Sequence, residues 1–116
     1  MDILVTNNPR AMEQLNAKFS VEYIDAPLLS VLVRVRDFVH KGHTLLSHPL
    51  SGSVKPNETL YKSVLVSGKS GELDLQSVLI IGECILKAQS FESREIADEY
   101  RDDMQVVDLS LIESSV

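Results

Sequence analysis

Twice within its first third the chain ends an apolar run with a capping side chain and a proline: "DILVTNNP" at 2–9 and "VEYIDAP" at 21–27. No other feature constrains the fold as strongly. Ile3, Leu4 and Val5 make a short strand, and the Asn-Asn-Pro that follows stops it. Proline suits the first position of a helix, where its missing N–H would have had no helical partner, and Asn8 supplies the cap. The pattern therefore predicts a strand over 2–6, a helix from Pro9 to about Lys18, a strand over 21–24, and a second helix capped by Asp25 with Pro27 just inside it. Leu28, Leu32, Val35 and Val39 keep helical spacing on one face, and Gly42 after His40 and Lys41 is the expected stop. Two strand–helix units in succession imply parallel strands joined by crossovers.

The remainder is read more coarsely. "HTLLS" (43–47) is expected as a third strand and "LYKSVLVS" (60–67) as a fourth. Leu73 to Phe91 reads as an apolar helix, and Ser93 as the cap of a further one. "QVVDLSLI" (105–112) is expected to close the sheet as a half-exposed strand with Val107, Leu109 and Leu111 inward. Gly82 in the middle of the long helix costs about 1 kcal/mol of propensity, which suggests close packing there. The expectation is an α/β fold in one domain over 1–116, a two- or three-layer sandwich with a partly parallel sheet of about five strands. With 44% apolar and 24% charged residues, a chain of 116 residues can bury one core.

The apolar runs, such as "LLSVLV" (28–33) and "VLIIGECIL" (78–86), fall short of the roughly 18–20 residues a membrane span needs. The N-terminus lacks the basic start of a secretory signal, and a lone Cys84 precludes an internal disulfide, so a cytoplasmic protein is expected. A net charge of −6 disfavours nucleic acid and anionic membranes as partners. That charge is uneven: −2 over residues 1–33, +4 over 34–69 and −8 over 70–116. A basic island thus interrupts an acidic protein, which either marks an anion site or is a solvated surface.

In open α/β sheets, ligands sit beyond the carboxyl ends of the parallel strands. The predicted ends are Thr6, Asn7 and Asn8 after the first strand, Asp25 after the second, and Ser47 with His48 after the third. The loop that starts there carries Ser51, Gly52 and Ser53, whose hydroxyls and permissive backbone can turn several donors on one anion. Lys55 and Lys62 add charge, and Pro49 and Pro56 stiffen the segment. A small carboxylate or phosphate is the ligand this set suits, although turn residues of this kind also make plain surface loops. His48 can donate to an anion or move a proton near its ordinary pKa of about 6.5. His40, His43 and His48 lack a fourth ligand at suitable spacing, so no metal is expected. "SGKSG" (67–71) lacks the glycine that a P-loop requires at position 63, where Ser63 stands. Neither a nucleophile elbow nor a cofactor fingerprint is present, and Cys84 lies in an apolar helix, so no cofactor is expected.

"ILVTNNP" (3–9) and "VRDFVHKGHTLLSHPLSGSVKPNETLYKS" (35–63), followed by a helix-rich acidic remainder, resemble the GrdX-type proteins. These are small proteins encoded beside the glycine, sarcosine and betaine reductase components of amino-acid-fermenting anaerobes. The resemblance implies a cytoplasmic accessory protein of reductive amino-acid fermentation and transfers no catalytic residue. Two functions are then in play, beside a third in which the acidic C-terminal half simply contacts another protein. One is a binding protein that holds a small anionic metabolite, or docks a reductase component, through the His48–Lys62 loop. The other is a small enzyme in which His48 is general acid or base, with Asn7, Asn8 and Lys55 positioning an anionic substrate.

Overall fold

The computed structural model describes residues 1–50, 55–91 and 96–116. Strand β1 (Ile3–Thr6) leads into helix α1 (Pro9–Leu15), and β2 (Ser20–Tyr23) into α2 (Leu28–His40). Strand β3 (Ser63–Val66), α3 (Leu75–Ser90), a short 3-10 turn (Asp98–Tyr100) and α4 (Arg101–Ser115) follow. Both opening strand–helix units are present as the proline-bearing turns predict. Asn8 caps α1, its side chain accepting from the Arg10 amide, with Pro9 at the first helical position. Asp25 does not cap α2; Pro27 occupies that position and no side chain bonds the helix end.

The sheet has the order β2-β1-β3. β1 and β2 are parallel, Thr6 opposite Tyr23, whereas β3 is antiparallel to β1, with Thr6 opposite Ser63. Alternation along the strands feeds two apolar layers. Val5, Val64 and Val66 pack with Val31, Leu32, Val35 and Val39 of α2 and Ile81 and Ile85 of α3. On the other face Leu4 and Leu65 meet Ala11 and Leu15 of α1 and Ile112 of α4. The result is a three-layer α/β sandwich around a mixed sheet.

Three strands are described where about five were expected, and the physical reasons are local. Residues 44–47 run along the outer edge of β3, but only Leu45 and Val66 form a bridge. The Leu46 and Ser47 amides both turn to the Leu65 carbonyl, while the Ser47 hydroxyl takes the Leu65 N–H at 2.9 Å. A side chain thus replaces the main chain and the ladder cannot propagate. Residues 105–112 are helical, not extended. Asp102 and Asp103 in the first turn suit a helix N-terminus, and Asp108 and Ile112, one turn apart, are the buried pair. Val107, expected inward, is 45% exposed.

Gly42 ends α2 as expected, at φ 100°, where an added Cβ would stand 2.1 Å from the Gly71 carbonyl oxygen. Gly82 is the reverse case. A Cβ there would meet nothing within 4 Å, so no contact within the fold requires glycine. The expected Ser93 cap lies outside the described residues. No helix among them is long and apolar enough to cross a membrane.

Candidate functional site: a polar rim under the C-terminal helix

Antiparallel pairing sets the start of β3 beside the ends of β1 and β2, so the rim combines Thr6, Asn7 and Asn8 with Lys62 and Ser63. Leaving the turn after β1, Asn7 binds three backbone groups. Its side-chain N–H groups donate to the Ala26 and Leu60 carbonyls at 2.9 and 2.8 Å, and its Oδ1 accepts from the Lys62 amide at 2.9 Å. This one side chain therefore stitches the loop after β2 to the approach to β3.

Asn8 and Thr6 belong to a second, buried network closed by α4. The Ser63 amide donates to Asp108 Oδ1 at 3.0 Å, and Ser63 Oγ and Asn8 Nδ2 donate to Oδ2 at 2.7 and 2.9 Å. Because the Ser63 hydroxyl proton points to Asp108, its 2.7 Å contact with Thr6 has the threonine as donor. Thr6 Oγ1 in turn accepts from the Asn8 amide at 2.9 Å. Asn8 also donates to the Gln105 carbonyl. Thr6 and Asn8 are wholly buried, and Ser63 and Asp108 nearly so. Such a network is affordable in a low-dielectric interior only when its members are satisfied, as these are.

Lys62 lies at the edge of this network and is only 7% exposed. Burial lowers its pKa, opposed by the Asp108 carboxylate of α4 and by Cys84 of α3. Burial likewise raises the pKa of the Cys84 thiol, with Glu83 adding to the effect and Lys62, Lys87 and a backbone bond to Leu50 opposing it. A cavity of about 20 Å³, bordered by Leu28, Leu50, Pro56, Tyr61, Lys62 and Asp108, has room for about one water. A cleft beside it, too narrow to admit a water molecule, is lined by Ser47, His48, Lys62, Ser63, Asp108 and Ser115. Farther along the 55–60 segment opens a groove of about 380 Å³ walled by Pro27, Leu29, Asn57, Leu60, Phe91 and Ile96.

The predicted residues divide accordingly. Thr6, Asn7, Asn8, Ser47, His48 and Lys62 come together at this rim, and Asp25 stands exposed just after β2. Lys55 is exposed on the segment that borders the groove. Ser51, Gly52 and Ser53 lie outside the described residues. His48 Nδ1 accepts from the Leu50 amide at 3.1 Å, which puts the proton of the neutral ring on Nε2. His43 lies elsewhere, its Nδ1 bonded to the Ser67 carbonyl and its ring edge-on to Phe38. Among the described residues no group of three His, Cys, Asp or Glu could hold a metal. Sequence reasoning missed Ser63 and Asp108, the latter because its segment reads as a strand. The signal available was helical spacing from Asp108 to Ile112.

A family model described as GrdX-like protein matches residues 3–116. No curated protein and no solved structure gives a significant match.

Proposed function

This chain belongs to the GrdX-like protein family, and we propose that it is an accessory protein of the glycine reductase system that holds a small carboxylate or phosphate at the rim. The observation that carries this reading is Lys62, a cation drawn almost out of water at the end of the strands, beside Ser47 and the exposed His48 along a cleft too narrow for a water molecule, so that an anion would sit at its mouth against His48 rather than inside it. The Asp108 carboxylate lines the same cleft and acts on Lys62, so an anion must outweigh it for the lysine's charge, which keeps the expected affinity low. Thr6, Asn7 and Asn8 act as the frame, their side-chain polar groups engaged within the protein. Ser47 retains its hydroxyl proton, because its oxygen is the acceptor for Leu65. His48 presents Nε2–H.

That last point favours binding over catalysis. A general base needs a free lone pair, and the neutral His48 ring has given its one lone pair to the Leu50 amide. As an Nε2–H donor the neutral ring suits an anion. Charge-assisted hydrogen bonds contribute about 1.5–3 kcal/mol each before ordering and desolvation costs. Two or three of them support affinity on the order of micromolar to millimolar. A docked reductase component is the second reading, favoured by the groove along the 55–60 segment, which shares Leu28, Pro56 and Thr59 with the small cavity beside Lys62.

Calorimetric titration with phosphate, acetate and glycine tests the proposal, using wild type, Lys62→Met and His48→Phe at low and high ionic strength. Saturable binding that weakens with salt and falls at least tenfold in Lys62→Met is expected. Heats indistinguishable among the three proteins would remove the ligand site and leave the docking reading.

A further inference from the structure

The outer face of α3, away from the rim, carries a stripe that the fold leaves unused. Leu75, Leu79 and Leu86 are 71%, 66% and 69% exposed. With Gly82 they follow a 4-3-4 spacing, which lines them up along one side of the helix. Ile81, Cys84 and Ile85 face the core from the opposite side. Three large leucines in water and a glycine in mid-helix are each unfavourable for an isolated chain. Gly82 has no internal reason, because a Cβ there meets nothing within 4 Å. One external contact accounts for all four residues.

We infer that α3 pairs with α3 of a second copy, antiparallel about a two-fold axis. The argument for a second copy is that the stripe is complementary to itself. In antiparallel packing at 4-3 spacing, a knob position of one helix faces the following stripe position of the other. The register that sets Leu79 against Gly82 of the second copy also sets Leu75 against its Leu86. Each copy then seats a leucine in the notch its partner's glycine leaves, twice, as an isologous interface requires. A parallel pairing would put the two glycines face to face over a void and crowd the leucines. α3 is about 24 Å long, so the contact lies at the small end of specific interfaces and affinity on the order of micromolar is expected. Each copy carries −6, so added salt strengthens the pairing. The inference does not rest on the ligand proposed for the rim.

Sedimentation velocity across a wide concentration range tests it. Wild type should move from monomer to dimer, with the midpoint at lower protein concentration in higher salt. Leu79→Glu should remain monomeric, with the melting temperature that wild type shows at concentrations where it too is monomeric, since Leu79 is exposed in the monomer. Gly82→Leu should weaken dimerisation at least tenfold while raising thermal stability through helix propensity. In a Cys84→Ala background, a mixture of Leu79→Cys and Gly82→Cys should cross-link faster than either alone. Monomer at every concentration, a dimer indifferent to Leu79→Glu, or equal cross-linking of each variant with itself would overturn the inference. A wild-type monomer whose stripe instead captures a different protein would overturn it as well.

Discussion

At the scale of single residues, the rim depends on Asp108 more than on any group that faces solvent. Asp108→Ala would strip partners from the Ser63 amide, the Ser63 hydroxyl and one N–H of Asn8. Each buried donor left unsatisfied costs about 1–3 kcal/mol, so a loss of about 3 kcal/mol or more in a urea titration is expected. Gly42→Ala combines a positive φ with a 2.1 Å approach to a backbone carbonyl and should cost about 1–3 kcal/mol by the same measurement. Lys62 gives a pH signature. Its folded pKa is lowered, so between that value and the ordinary 10.5 the unfolded chain holds the proton more tightly. The cost of burying the charge is full below the folded pKa and vanishes as pH rises through this window. Lys62→Met should therefore be the more stable protein at neutral pH, with the difference closing towards pH 10.5. A constant difference across that range would contradict the burial of a charged lysine.

At the scale of elements, the edge segment beside β3 is held by a hydroxyl where a strand would use its backbone. Ser47→Ala should speed hydrogen exchange at the Leu65 amide, which it no longer satisfies, while the β1–β3 ladder keeps its protection. Unchanged exchange at Leu65 would show that the segment is held by other contacts. This segment also marks the limit of what the sequence discloses. Pro9, Asn8 and Gly42 act through local backbone chemistry, so α1 and the end of α2 can be read from them directly. Leu45 and Leu46 cannot reveal that Ser47 will cap Leu65, because the partner lies eighteen residues away in the chain. Alternation of Val107, Leu109 and Leu111 mimics a strand, whereas helical burial of Asp108 and Ile112 depends on a polar network assembled only in three dimensions. Thr6, Asn7, Asn8, Ser47 and His48 were legible as a rim because strand ends are local features. Their support of the frame, with Lys62 as the buried cation, was not.

Across the whole molecule, the fold divides the basic island that the sequence shows as one stretch. Lys41 follows α2, and Lys69 follows β3 near the Gly42–Gly71 contact, at the end of the sheet opposite Thr6 and Ser63. Arg34 is engaged with Glu22 and Asp37 and lies over the Phe38 ring. The positive field at the rim thus comes from Lys62, offset by the Asp108 carboxylate beside it, and from Lys55 on the neighbouring segment. The three histidines, distributed over different parts of the fold, can report on this directly. His48 shares the cleft with Lys62, His43 is bonded to Ser67 behind the far end of β3, and His40 closes α2. The decisive measurement is the imidazole NMR spectrum during titration with phosphate at constant pH and ionic strength. A saturable shift of the His48 ring alone, abolished in Lys62→Met, is the predicted result; equal drift of all three rings, or no shift at His48, would contradict a ligand site at the rim.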